Sequence, residues 1–173
     1  MTVETLMAGS VLARSSFYVY FSNREEVIRR LIAGIAEEVS EFAERWLVGV
    51  SGQQDIGAAL AGVANLYRGH GRVLRALADA SATDSEMEAI HAELIHMLVA
   101  ATEQGIVREQ ERGASVVADP RQVARLLVTM TERIANDTWG RDADPESRGT
   151  LEALVHVWSW SIYGQPPALD EAQ

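Results

Sequence analysis

The chain has no cysteine among its 173 residues and no lysine, because all fifteen of its basic residues are arginine. Without cysteine, neither a disulfide framework nor a thiolate metal site can form. Only four prolines are present, and no apolar run approaches the ~18 residues that mark a membrane-spanning helix. No signal peptide pattern occurs at the start. We therefore expect a cytoplasmic chain that makes no membrane contact.

Positive charge is also scarce, since the net charge is −10. Such a balance argues against binding nucleic acid, where phosphate neutralisation dominates affinity. The distribution of charge along the chain weakens this argument. Residues 1–31 carry four arginines against three glutamates, a local +1 that leaves −11 for the remainder. This distribution is typical of a protein that touches DNA only through its N-terminal head.

Helical periodicity dominates the chain, and no alternating strand pattern appears, so the sequence predicts an all-α fold. Asn23 and Glu26 form a capping box for a helix reaching about Val48. The stripe expected to be buried on this helix consists of Val27, Leu31, Ile35, Val39, Phe42 and Trp46.

The middle of the chain shows three further helix signals. Apolar spacing from Ile56 to Tyr67 predicts a helix that Gly69 and Gly71 end, with a short helix from Val73 to about Ala80 after it. Thr83 and Glu86 form a second capping box, for a helix that runs through Ile90, Leu94, Met97 and Ile106 and stops at Gly113.

Two later helix starts pair an aspartate cap with a proline at the first helical position, at Asp119-Pro120 and Asp144-Pro145. They predict helices over 120–140 and 145–164. The last helix has one apolar face formed by Leu151, Leu154, Trp158 and Ile162. A second face is formed by Ala153, His156, Trp160 and Tyr163. Because a helix that is apolar on two faces is buried on both sides, we expect the second face to be a dimer interface.

The segment from Ala13 to Val27 predicts a short polar and aromatic helix, a loop and the capped start of a second helix. Hydrogen-bond donors are concentrated there, in positions suited to base edges and phosphates. This segment resembles the end of the helix-turn-helix in TetR-family transcriptional regulators. The likeness extends to Glu111–Gly113, Met130–Arg133 and Leu154–Gly164, which resemble the ethionamide-resistance repressors of that family.

The resemblance implies a TetR-like, ligand-controlled repressor that binds a palindromic operator as a homodimer. Residues 1–30 would be the helix-turn-helix head, 31–165 the ligand-binding and dimerisation body, and 166–173 a disordered tail. The chain begins at what matches the family's second helix, so we expect the first helix to be missing, either because the true start lies upstream of Met1 or because the head is vestigial. The family's base-reading positions fall on Arg14, Ser15 and Ser16, and its phosphate contacts on Tyr18, Tyr20 and Arg24.

The resemblance also places a small apolar ligand in the body, where Trp158 matches the family's pocket tryptophan. We expect Thr131 and Met130 to border this site, which would be reached from the side of Tyr67 and Met97. Two pocket asparagines of the family are replaced here by Thr131 and Val128. Both replacements remove amide hydrogen bonding, so the ligand is expected to differ. No cofactor or metal is expected.

Two other classes of function compete with this interpretation. The first is a dimeric small-molecule-binding protein that has lost DNA binding. The second is a carboxylate-bridged metal enzyme, suggested by Glu88-x-x-His91 and Glu93-x-x-His96. Such centres need this motif on two different helices. Here both copies share one helix and face different directions, so we expect solvated histidines and no catalytic residues.

Overall fold

The computed structural model describes residues 26, 28–35, 37, 38, 53–139 and 147–164. The described part of residues 26–38 is helical and is called the N-terminal segment here. Four helices follow: α1 (Gln53–Ser81), α2 (Ser85–Glu111), α3 (Pro120–Thr138) and α4 (Ser147–Tyr163). The described residues contain no strand, and the predicted all-α class is confirmed. None of their helices combines the length and apolarity that crossing a membrane requires.

The N-terminal segment buries a stripe formed by Ile28, Ile32 and Ile35, whereas Leu31 is 42 % exposed. The prediction that Leu31 is buried is therefore wrong. Two apolar stripes overlap in this stretch, and periodicity alone does not choose between them. The three isoleucines, at spacings of four and three, form the apolar face that packs. Val27 and the expected positions beyond Ile35 lie outside the described residues.

Helix α1 continues without interruption through Gly69 and Gly71, so the predicted break is wrong. A glycine inside a helix costs only about 1 kcal/mol relative to alanine. Buried residues on both sides of the glycines, among them Leu66 and Tyr67 before and Leu74 and Leu77 after, outweigh that cost. The expected burial of Ile56 and Leu60 on the same helix is confirmed.

The ends of α2 and α3 follow local cap chemistry. Asp84, and not Thr83, caps α2 by accepting hydrogen bonds from the amides of Glu86 and Met87. Gly113 ends α2 with a φ of 72°, as predicted, because glycine adopts this conformation without a steric cost. Asp119 caps α3 ahead of Pro120, also as predicted. The Asp144-Pro145 start lies outside the described residues.

Helix α1 contacts each of the other three helices, α2 packs on α3, and α3 packs on α4. The core lies between them and includes the apolar face of α4 that the sequence predicts. The loop between α2 and α3 is attached to the end of α4, because the amide of Val116 donates to the carbonyl of Ile162 at 3.1 Å. Gly164, with a φ of 66°, leaves room for the side chain of Val116 at this point.

Candidate functional site

A tryptophan and a threonine form a buried hydrogen bond where α4 meets α3. The indole Nε1 of Trp158 donates to Oγ1 of Thr131 at 3.0 Å. Both side chains are buried, and Trp158 belongs to the same stripe as Leu154 and Ile162. A buried indole N–H needs an acceptor. Thr131 supplies one and thereby fixes the orientation of the tryptophan ring.

Tyr67 brings α1 into the same core. Burial raises the pKa of its phenol, and the nearby carboxylate of Glu132 raises it further. Both effects disfavour the phenolate, so Tyr67 is neutral at physiological pH. The carboxylate of Glu132 on α3 therefore lies near enough to Tyr67 on α1 to disfavour its ionisation.

Glu132 follows Thr131 directly and points towards a different helix, because successive residues of an α-helix are about 100° apart. Its Oε1 accepts a hydrogen bond from Nδ2 of Asn136 at 2.6 Å. Nε2 of His91 on α2 lies 3.3 Å from the same oxygen. Helix α3 thus directs a hydroxyl towards α4 and a carboxylate towards α2.

A groove of about 250 Å³ opens beside this carboxylate, between α2 and α3. Its walls are mainly apolar. The residues that line it are His91, Ala92, Ile95, His96, Thr129 and Glu132. Both histidines of the Glu-x-x-His motifs therefore lie along one groove, although no group of three or more metal-ligating side chains occurs among the described residues.

A family model described as the C-terminal domain of the transcriptional regulator EthR matches residues 56–164, which include α2 to α4 and all but the first three residues of α1. The chain belongs to this EthR family. The regulator EthR of Mycobacterium tuberculosis is 27 % identical over 171 residues, which cover 95 % of this chain and 79 % of that protein. EthR of Mycolicibacterium smegmatis is 27 % identical over 175 residues, with 96 % and 79 % covered. Both are named as helix-turn-helix transcriptional regulators.

The family assignment confirms the resemblance to TetR-family regulators of the ethionamide-resistance type. The chain is thus a transcriptional regulator of an all-α, DNA-binding family. The residues of this chain that are predicted to contact DNA lie outside the part that the structure describes. They are Arg14, Ser15, Ser16, Tyr18, Tyr20 and Arg24.

The five residues of this chain that are expected around a ligand occupy different environments. Thr131 and Trp158 touch, and Tyr67 is buried in the same core. Met130 is half-buried and packs against that core. Met97, in contrast, is 36 % exposed at the surface of α2. The placement of Met97 on the side from which the ligand site is reached stays a prediction.

The four residues predicted to form a dimer interface divide into two groups. Ala153, His156 and Trp160 are exposed on α4, and the rings of His156 and Trp160 lie 6.2 Å apart between centroids. Trp160 is 49 % exposed. Tyr163, at the end of the helix, is buried within the chain itself. The exposed face therefore consists of the first three.

Sequence reasoning missed Glu132 and Asn136, and it treated His91 as solvated. His91 is in fact half-buried and paired with Glu132. Glu132 and Asn136 are four residues apart on α3, a spacing that brings helical side chains together. That spacing could have indicated contact between Glu132 and Asn136, but it does not reveal which helix packs against them.

We expect Thr131→Val to lower the free energy of unfolding by about 1–3 kcal/mol, because it removes the hydroxyl acceptor of a buried N–H while preserving side-chain shape. The measurement is urea denaturation in two backgrounds, wild type and Trp158→Phe. In the Trp158→Phe background the donor is absent, so Thr131→Val should cost little. An equal cost in both backgrounds would show that the hydrogen bond contributes nothing to stability.

Proposed function

We propose that this regulator is a cytoplasmic, homodimeric repressor that binds a palindromic operator and releases it when a small molecule occupies the helical body. Membership in the EthR family carries this proposal. The relatives' names supply the helix-turn-helix and the regulatory role. The exposed apolar side chains of α3 and α4 support the dimer.

Three large apolar side chains on these two helices are exposed. Trp160 and Val157 on α4 are 49 % and 40 % exposed, and Leu126 on α3 is 65 % exposed. The opposite sides of both helices contribute to the core. Aromatic and aliphatic residues that remain exposed on such helices are typical of surfaces that bind another protein. A two-fold axis through this surface would bury it against its own copy.

We assign DNA binding to the N-terminal head, with Arg14, Ser15 and Ser16 at base edges and Tyr18, Tyr20 and Arg24 at phosphates. The N-terminal segment supports this assignment, because it begins within the end of the head and its Ile28, Ile32 and Ile35 belong to the core of the body. A change inside the body that moves this segment would also move the head. In a dimer, such movement alters the separation of the two heads and hence the fit to half-sites one helical turn apart.

We place the ligand beside Trp158, Thr131, Tyr67 and Met130, with Met97 near the entrance. The polar atoms of Trp158 and Thr131 satisfy each other. A weakly polar ligand can therefore pack against them without leaving a buried group unpaired. Val128 and Thr131 offer no amide to such a ligand, which favours apolar contact over directed hydrogen bonding.

Tryptophan fluorescence and thermal unfolding across a library of lipophilic compounds test the ligand-binding part of the proposal. Compounds that raise the melting temperature should also quench fluorescence and release operator DNA in mobility-shift assays. Quenching should fall in Trp158→Phe and persist in Trp160→Phe, a matched change on the exposed side of the same helix. Flat responses across the library would indicate a filled core. Ligand binding by a dimer that never binds DNA would instead support a small-molecule-binding protein without operator recognition.

A further inference from the structure

The groove between α2 and α3 has the size of a site for a fragment-sized molecule. Its volume of about 250 Å³ lies just below the ~300–1,000 Å³ typical of sites for drug-sized ligands. Ala92 and Ile95 give it apolar walls. It lies on the α2 side of α3, whereas the bond between Thr131 and Trp158 lies on the α4 side. The groove is therefore separate from the proposed apolar ligand site.

The polar end of the groove has more acceptors than donors. Both hydrogen-bond contacts of Glu132 involve Oε1, and Oε2 accepts none from the residues that the structure describes. Oδ1 of the buried Asn136, whose Nδ2 donates to Glu132, likewise has no donor among those residues, although Asn136 does not itself line the groove. Since a carboxylate can accept about four hydrogen bonds, Glu132 has unused capacity.

His91 adds to this surplus. Nε2 faces a carboxylate oxygen, which accepts hydrogen bonds only, so in the neutral imidazole the proton is on Nε2. Nδ1 is then an acceptor. No arginine lines the groove, and the Glu132 side chain is only 17 % exposed. Its charge is consequently less screened than that of a surface carboxylate.

We propose that this groove binds a small organic ammonium ion, with Glu132 as its counter-ion, Ala92 and Ile95 packing against its apolar part, and His91 and His96 flanking it. An ammonium group supplies the hydrogen-bond donors that the polar end of the groove lacks. Hydrogen bonds between charged groups are also about twice as strong as those between neutral groups. The pKa of Tyr67 is raised mainly by burial, and the nearby charge of Glu132 adds to this effect.

Calorimetric titration with benzylammonium and with benzyl alcohol, a neutral probe of the same shape, tests the proposal. At about pH 8, where histidine side chains are generally neutral, benzylammonium should bind about tenfold more tightly than the alcohol. Glu132→Gln should abolish this preference. Glu88→Gln is the matched control, because it changes the net charge equally at an exposed position of α2 outside the groove.

Ala92→Leu provides a second test that leaves Glu132 and its partners intact. The larger side chain should fill the groove and abolish benzylammonium binding while the melting temperature of the free protein stays within a few degrees. Equal affinity for the two probes, or unchanged binding in either Glu132→Gln or Ala92→Leu, would overturn the proposal. Operator binding is measured without added amine, so failure here is distinguishable from failure of the repressor assignment.

Discussion

Replacing Trp160 with glutamate is expected to convert the dimer into monomers at micromolar concentration. In the proposed dimer, the two-fold axis would bury one added carboxylate from each protomer without a cationic partner. At several kcal/mol for each buried charge, the dissociation constant should rise roughly a thousandfold or more. Sedimentation velocity at several protein concentrations measures the change directly.

Val107→Glu is the matched control for this experiment. Val107 is 38 % exposed, comparable to Trp160, but it lies on α2, away from the proposed interface. This variant should sediment as the wild type does. A wild type that is monomeric at micromolar concentration, or a Trp160→Glu variant that is still dimeric, would disprove the proposed interface.

Two arginine substitutions in the head should weaken DNA binding in different ways. Arg14→Ala should cost about 1–3 kcal/mol and relax sequence preference at one base pair in each half-site, because a base contact is lost. Arg24→Ala should weaken binding to all sequences alike and flatten the salt dependence by about one unit for each lost phosphate contact.

Mobility shifts at several salt concentrations, on the intergenic DNA beside the protein's own gene, separate the two effects. A scrambled duplex of equal length serves as the non-specific competitor. If Arg14→Ala weakens binding to the specific DNA and to the scrambled DNA equally, Arg14 is not a base-reading residue. If the full-length protein, with any residues that the gene encodes before Met1, shows no preference for any intergenic sequence, the repressor assignment is wrong.

Local signals predicted most of the backbone of the body. Asp119-Pro120 and Gly113 act on neighbouring backbone groups through cap hydrogen bonds and allowed φ angles, so their effects can be read from the sequence alone. Gly69 and Gly71 were misleading because their propensity cost is smaller than the stabilisation from packing around them. Thr83 and Asp84 are both good caps, and sequence alone does not decide between adjacent candidates.

The candidate sites were less predictable, because they depend on which helix packs against which. Trp158 and Thr131 are 27 residues apart, and only the packing of α3 on α4 brings the indole to the hydroxyl. His91 meets Glu132 through an equally long-range contact between α2 and α3. Periodicity identified the apolar face of α4, but it did not distinguish the buried Tyr163 from the exposed Ala153, His156 and Trp160.

The bond between Val116 and Ile162 joins the end of α4 to the loop that connects α2 to α3. That loop is stiffened by Gln110, whose side-chain amide donates to the carbonyl of Val117 at 2.7 Å. The C-terminal end of α4 is therefore connected to the C-terminal end of α2 through hydrogen bonds of this loop. The helix that carries the proposed dimer surface is thus joined by a backbone hydrogen bond to the loop that follows the helix forming one wall of the amine groove, which gives the two surfaces a connection through the backbone.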